Sequence, residues 1–319
     1  MLNKKSIIFL AGHKGLVGGA VFKYLKKLQY ENVLTIERSR VDLRDSSKVE
    51  KYFKNKKIDY MIMAAARAGG ILANSNYQDE FLTDNTNIQN NLLLLAKKKK
   101  IKRTIFLGSS CIYPKNSITP IKEEYLLTGK LESTNQCYAI AKIAGIKLSE
   151  ALYKKYNLDI VCLMPTNAYG YNDNFDEING HVIPAMIKKF LRARKYNKKK
   201  VVLYGSGKPL REFIFSDDLA LAIVKILGIK KNKLKKMFKN ELPILNVGSG
   251  KNISIRRLSQ MINKITGFKG KIVFDSKFPD GTYKKNLCSK KILSLGWKAE
   301  TDLFEGISLV VKKVKNKLF

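Results

Sequence analysis

Short apolar runs recur along the first half of the chain, each followed by glycine or polar residues and then by apolar positions at helical spacing. Residues 6–11, 33–36, 60–65, 104–107 and 160–164 are continuously apolar rather than alternating, which is the pattern of strands buried on both faces. Between the first two, Leu16, Val17, Ala20, Val21, Tyr24, Leu25 and Leu28 mark one helical stripe, and residues 46–53, 86–96 and 138–156 predict further helices. Strands alternating with helices imply right-handed crossovers and a parallel sheet covered on both sides, a doubly wound α/β fold of Rossmann type. Beyond Pro165 the rhythm loosens into an Asn-rich loop at 167–180, a basic amphipathic helix at 181–195 and shorter elements. Residues 1–165 are therefore expected to form the nucleotide-binding domain and 166–319 a smaller C-terminal substrate lobe. Parts of 201–250, either 201–204 or 245–247, should return to complete the main sheet.

The first strand runs straight into Gly12-His13-Lys14-Gly15-Leu16-Val17-Gly18, a G-x-x-G-x-x-G loop that opens the first helix. Glycines there let the backbone turn tightly and approach a pyrophosphate, which then sits at the positive helix N-terminus. A bare strand-to-helix turn would also use glycine, but the position and the context both fit a dinucleotide site. The second strand ends Ile36-Glu37-Arg38-Ser39-Arg40, where the adenosine ribose is contacted. Glu37 can bond a ribose 2′-hydroxyl, whereas Lys14, Arg38 and Arg40 can clamp a 2′-phosphate. Charge-assisted contacts to phosphate are the stronger kind, so NADPH is expected over NADH. Asp42 and Leu43 follow closely enough to lie beside the adenine.

Tyr138 and Lys142 stand four apart in a helical stretch and so project from one face. Ser109 follows the fourth strand, at the rim where the carboxyl ends of parallel strands form the ligand crevice. These three residue types suit carbonyl reduction. The phenol gives a proton to the carbonyl oxygen as hydride reaches carbon, the lysine charge favours phenolate, and the serine hydroxyl bonds the same oxygen. A Y-x-x-x-K pair arises easily by chance in a lysine-rich helix; the serine and the glycine loop together make chance the poorer account.

Further strings extend the pattern: Gly108-Ser109-Ser110-Cys111-Ile112-Tyr113-Pro114, Tyr138-Ala139-Ile140-Ala141-Lys142-Ile143-Ala144-Gly145, Met164-Pro165-Thr166-Asn167 and His181-Val182-Ile183-Pro184. Gly205-Ser206-Gly207 with Arg211-Glu212-Phe213, Asn246-Val247-Gly248 and Pro279-Asp280-Gly281-Thr282 complete the set. From about residue 7 to Trp297 the chain resembles the extended short-chain dehydrogenase/reductases, and within them the GDP-L-fucose synthase family. The resemblance implies NADPH-dependent reduction of a GDP-4-keto-6-deoxy sugar preceded by 3,5-epimerisation. Cys111 and His181 would shuttle protons at the carbons flanking the ketone, where the keto group acidifies C–H bonds. It also implies that Val182 packs near guanine, that Lys189, Arg211 and Lys285 neutralise the diphosphate, that Asn167 contacts the sugar and that Asp280 lies in a closing loop. A homodimer is implied too, with the helices near 86–96 and 138–156 forming a four-helix interface to which the run 92–95 contributes.

The chain departs from the family at Tyr171, Tyr204 and Tyr283, where proline, tryptophan and proline are usual. All three fall in or beside expected pocket segments. Relatives that reduce GDP-4-keto-heptoses for bacterial surface polysaccharides, some without epimerising, are the alternative that such reshaping favours.

Composition changes this picture little. Hydrophobic residues at 45% and charged residues at 27% are ordinary globular values. No run approaches the roughly 18 apolar residues of a membrane span, so no membrane association is expected. The first residues pass directly into a strand, leaving no room for a cleavable signal, and Cys111, Cys137, Cys162 and Cys288 show no metal-ligand spacing. A cytoplasmic protein with reduced thiols and no metal is expected. The outlier is the net charge of +35, which invites a nucleic-acid reading. Only ten of the 61 basic residues are arginine, however, and the lysine runs carry no aromatic platforms, so small anions are the expected partners and nucleic acid is not. A non-catalytic nucleotide- or RNA-binding Rossmann protein would have no use for Ser109, Tyr138 and Lys142 together.

Overall fold

A computed structural model describes residues 2–278 and 280–318. Strand and helix alternate through β1 (Ile8–Ala11), α1 (Leu16–Lys27), β2 (Val33–Thr35), α2 (Ser46–Phe53), β3 (Tyr60–Met63), α3 (Ile71–Asn76), α4 (Gln78–Lys98), β4 (Arg103–Leu107), α5 (Gln136–Tyr156) and β5 (Ile160–Pro165). There follow β6 (Asn167–Tyr169), α6 (Val182–Lys195), β7 (Lys200–Tyr204), β8 (Leu210–Phe215), α7 (Ser216–Gly228), α8 (Lys231–Met237), β9 (Ile244–Val247), β10 (Asn252–Ser254), α9 (Ile255–Thr266), β11 (Lys271–Asp275) and β12 (Lys284–Lys285). The helices Lys290–Ser294 and Leu303–Val314 close the chain.

Six parallel strands in the order β2-β1-β3-β4-β5-β9 make the main sheet. Successive side chains leave it on opposite faces, and both faces are dry. Phe9, Met61, Met63, Phe106, Cys162 and Met164 pack with Leu92, Leu93 and Ile146 of α4 and α5 on one side. Ile8, Leu10, Ile62, Ile105, Val161 and Leu245 meet Val21, Leu25 and Ile223 of α1 and α7 on the other. Double-sided burial is why these strands read as unbroken apolar runs.

Of the two segments considered for this sheet, 245–247 lies in it, within β9. The segment 201–204 does not: β7 pairs with β11 in a separate two-stranded sheet. The reason is visible in its burial, since Val201 and Leu203 are covered while Val202 and Tyr204 face outward. A strand with one wet face cannot sit inside a sheet clad on both sides. A third sheet, β10-β8-β12 with β6 also on β8, carries Arg211.

Helix α4 begins earlier than its apolar stripe, at Gln78 rather than near Thr86. Its polar opening turns are helical because Asp79 and Glu80 favour the N-terminal dipole, and because buried Asn85 donates to the Phe81 and Arg67 carbonyl oxygens. Within 92–95, Leu92, Leu93 and Leu95 are buried in their own domain and Leu94 alone points outward.

Candidate active site

The glycine loop is compact. Gly12 has φ +85°, and a Cβ on it would come within 2.6 Å of the Ala65 backbone nitrogen. A Cβ on Gly18 would lie 2.0 Å from the Gly12 carbonyl oxygen. Gly15 caps α1 without a side-chain bond, and the first turn holds no acidic residue. The N–H groups and the dipole of that turn are therefore opposed by no carboxylate of its own, which fits the pyrophosphate of a dinucleotide. Leu16 and Val17 contribute two of these N–H groups.

Around the expected ribose site the charged residues are already engaged. Lys14 Nζ lies 2.6 Å from Glu37 Oε1, so the two rival readers of the 2′ position hold each other. Asp42 is gripped by Arg44 through Nε at 3.0 Å and Nη2 at 2.6 Å, which holds its carboxyl down to about 2. Arg44 also bonds Asp84, and Arg67 bonds Asp84 from the other side. Arg38, 3.9 Å from Asp42, is 71% exposed and the least committed of the group. Arg40 lies over the Tyr52 ring. Leu43 packs on the sheet core, and its carbonyl oxygen accepts from Asn91 Nδ2 at 2.9 Å.

On the neighbouring rim Ser109 ends the β4 segment, and its Oγ accepts from the Cys111 backbone N–H at 3.2 Å. Burial pushes the Tyr138 phenol up, against a smaller opposing effect of the Ser109 side chain. Lys142 is buried, donates to the Leu107 carbonyl oxygen at 2.9 Å and sits 5.8 Å from the Tyr138 ring centroid. Desolvation pushes it down to about 8. The expected lowering of the phenol by the lysine charge is not what dominates here, because Lys142 faces a carbonyl and burial outweighs the rest.

Cys111 is half-buried, and Asn135 Nδ2 donates to its Sγ at 3.3 Å. A Cβ on Gly281 would lie 3.2 Å from Arg211 Nη2, and the neighbouring Thr282 hydroxyl donates to Glu132 Oε2 at 3.3 Å. The segment after β4, the approach to α5, the 280–282 loop and β8 thus follow one another as neighbours. Arg211 is largely desolvated, which lowers its affinity for a proton. Register places Lys285 of β12 beside it. Asp280 accepts from the Ser206 N–H at 2.9 Å and the Ser206 hydroxyl at 2.5 Å, against Gly205 at φ +82°, where a Cβ would strike the carboxylate. Pro279 lies outside the described residues.

His181 caps α6 with no side-chain cap bond. Its Nδ1 lies 3.5 Å from the Asp173 carboxylate. Val182 packs on the core of the second lobe. Lys189, pushed down by burial, places Nζ 4.3 Å from the centroid of Tyr204, which stacks on Phe278 at 3.9 Å. Asn167 donates to the Glu212 carbonyl oxygen at 2.9 Å. Tyr171 departs from its expected place: its ring packs edge-on to Phe215 and carries Lys23 and Lys313, contacts of the α1 and C-terminal helix side rather than of the Cys111 and Arg211 cluster. Tyr283 is 68% exposed. Among the described residues no cluster of three or more His, Cys, Asp or Glu could hold a metal, and no helix is long and apolar enough to cross a membrane.

The model of the NAD dependent epimerase/dehydratase family matches residues 8–248. The chain belongs to that family. It is 44% identical over 308 residues to the putative GDP-L-fucose synthase 2 of Arabidopsis thaliana, covering 97% of this chain and 91% of that one. With the GDP-L-fucose synthase of Escherichia coli K12 it shares 41% identity over 304 residues, 95% of each chain. The crystal structure of a GDP-6-OMe-4-keto-L-xylo-heptose reductase from C. jejuni superposes with a TM-score of 0.93 at 33% identity, covering 99% of each chain.

Several side chains of this epimerase/dehydratase that sequence reasoning passed over touch the candidate residues. Asn135 and Phe278 gain significance only through contacts across the fold. Asp173 stands in the Asn-rich loop, where an acidic residue among asparagines gives no signal of its own. Glu212, within a quoted string, is fully buried and accepts from the backbone N–H groups of Gly250 at 2.6 Å and Leu287 at 2.8 Å. Those bonds tie β8, with its Arg211, to the segment that follows Lys285.

Proposed function

We propose that the protein is an NADPH-dependent 4-keto reductase of a GDP-4-keto-6-deoxy sugar, with 3,5-epimerisation preceding reduction. The observation that supports this reading is Ser109 Oγ bonded to the Cys111 N–H beside a Tyr138–Lys142 pair 5.8 Å apart, in a chain 41–44% identical to GDP-L-fucose synthases. Residues 1–165, completed by β9, hold NADPH through Gly12, Lys14, Gly15, Leu16, Val17, Gly18, Arg38, Asp42 and Leu43. Residues 166–319 hold the GDP-sugar through Asn167, Val182, Lys189, Tyr204, Arg211, Asp280 and Lys285. When bound, the reduced nicotinamide supplies hydride to the carbonyl carbon. Tyr138 gives its proton to the developing alkoxide, Ser109 bonds the same oxygen, and Lys142, near 8, can return the proton to the phenol. For epimerisation Cys111 and His181 act on opposite faces of the carbons beside the ketone. The enzyme works as a cytoplasmic homodimer through α4 and α5, which expose Leu94 and Ile140.

A second reading, C4 reduction of a GDP-4-keto-heptose without epimerisation, is favoured by the heptose reductases among the structural neighbours and by Tyr204 in an expected pocket segment. NMR of the product from each candidate GDP-4-keto sugar with NADPH in deuterated water separates the two. Deuterium at carbons 3 and 5 of a reduced hexose supports the first; a reduced heptose free of deuterium supports the second. Failure to oxidise NADPH with any of them would refute both.

A further inference from the structure

The loop from Tyr171 to Gly180 presents three carboxylates, and two of them are engaged elsewhere. Asp176 Oδ1 accepts from the backbone N–H groups of Ile178 at 3.0 Å and Asn179 at 2.6 Å. Glu177 pairs through Oε2 with Arg192 at 2.8 Å, although its Oε1, like one oxygen of Asp173, has no hydrogen-bond partner among the described residues. Asp173 differs. Its side chain is 4% exposed, its Oδ1 accepts from the Asn174 N–H at 2.8 Å, and among the described residues its Oδ2 has no hydrogen-bond partner. Among the described residues the cationic candidate within ion-pair distance is His181, whose Nδ1 lies 3.5 Å from Oδ1, the oxygen that the Asn174 N–H also engages. That imidazole nitrogen is itself buried and without a hydrogen bond, while the His181 side chain as a whole is 41% exposed. The imidazole therefore turns its Nδ1 edge inward to a carboxylate and leaves its Nε2 edge on the accessible side.

The loop is fixed in this arrangement. Gly180 N–H bonds the Asp176 carbonyl oxygen at 3.1 Å, and Gly70 N–H bonds the Asn179 carbonyl oxygen at 2.8 Å. A Cβ on Gly70 would lie 2.4 Å from the Gly180 oxygen, so the turn before His181 is pressed against the segment after β3.

We infer that Asp173 is a positioning residue that holds His181 with Nδ1–H inward and Nε2 outward, the orientation in which Nε2 exchanges protons with substrate; this rests on the epimerase half of the reading above. A buried carboxylate whose Oδ1 lies 3.5 Å from Nδ1 selects the Nδ1–H tautomer, as the orienting carboxylate of a catalytic triad does. The separation of 3.5 Å is longer than a formed hydrogen bond, and such contacts are often long before substrate binds. In the proton step the Cys111 thiolate takes a proton from the carbon beside the ketone, giving a thiol and an enolate. The His181 imidazolium passes its Nε2 proton to the opposite face of that carbon, restoring the ketone and leaving neutral imidazole. Water then carries a proton from thiol to imidazole and the pair is reset. Asp173 stays ionised throughout.

Two measurements test it. The first is the nitrogen NMR of the neutral imidazole, assigned among only two histidines by its loss in His181→Asn. Wild-type protein should show the Nδ1–H tautomer at His181, and Asp173→Asn, whose amide can present N–H to Nδ1, should shift it to Nε2–H. An Nε2–H tautomer in the wild type overturns the proposal. The second follows substrate in deuterated water without NADPH. Asp173→Asn should lose inversion by roughly a hundredfold, while in a separate assay supplied with NADPH it reduces an already epimerised ketone within about threefold of wild type. Equal loss of inversion and reduction, or inversion at the wild-type rate, would overturn it. Wild-type protein that takes up no deuterium at all refutes the epimerase reading instead, and the tautomer then decides the dyad by itself.

Discussion

Lys142 offers a direct measure of what the site costs the fold. Its ammonium is buried, its hydrogen bond is to a neutral carbonyl, and desolvation holds it at about 8 against an ordinary 10.5. A group whose folded affinity for protons is depressed leaves the unfolded chain binding more protons between those two values. Stability therefore rises with pH across that window and is flat below it, since both states are then protonated. At about 1.4 kcal/mol per pH unit the gap corresponds to about 3 kcal/mol. Lys142→Met keeps the volume and removes the charge, but it leaves the Leu107 carbonyl oxygen without its donor, at a cost of about 1–3 kcal/mol. The two effects nearly cancel at neutral pH.

Urea unfolding of both proteins from pH 7 to 10.5 should accordingly give similar midpoints at the acid end. Toward the alkaline end wild type should gain about 3 kcal/mol on the variant. Turnover of the variant should fall by two orders of magnitude or more, with weaker NADPH binding. A stability difference that does not change with pH would show that Lys142 is not strained by burial. A variant far less stable at neutral pH would show that its hydrogen bond outweighs its desolvation.

Tyr138→Phe should lower reduction by orders of magnitude while leaving NADPH affinity near wild type, and near-normal turnover would remove the phenol from the mechanism. For the cofactor, kcat/KM should favour NADPH over NADH; Glu37→Gln, which frees Lys14 for a 2′-phosphate, should widen that preference, and equal or better use of NADH by wild type would refute the assignment. Light scattering should report a dimer that Leu94→Asp with Ile140→Asp disperses, and a wild-type monomer at working concentration would dispose of the interface.

The parts of the molecule legible in the sequence are those where one local rule governs. Unbroken apolar runs meant strands clad on both faces, and β1, β3, β4 and β5 are such strands. The spacing of Tyr138 and Lys142 needed only the helical period. What stayed hidden depends on partners distant in the chain. The segment 201–204 looked as apolar as 245–247, yet its alternation marks a strand with one wet face. The polar start of α4 hid a helix whose asparagine is satisfied by the backbone around Arg67, eighteen residues away. Tyr171 lay next to pocket motifs in sequence and turned toward Phe215 in space. Charge bias likewise hid the pairing of Lys14 with Glu37, since residues that compete for one ligand group on paper neutralise each other in the fold.

That pairing points to how a chain of net charge +35 marks out a binding site. Many of its cations lie exposed beside carboxylates, as Lys48, Lys98 and Lys154 do, and such pairs hold little energy. Lys142, Lys189 and Arg211 are different: burial lowers the proton affinity of each, and among the described residues none has a carboxylate within ion-pair distance. A folded protein keeps desolvated, unpaired cations only where something compensates for them. The three belong to α5, α6 and β8, elements far apart in the chain. A dinucleotide and a nucleoside diphosphate sugar bring the anionic groups that such positions lack. The selective signal in this basic chain is therefore not where lysine is abundant but where a cation is dry and has no acid beside it.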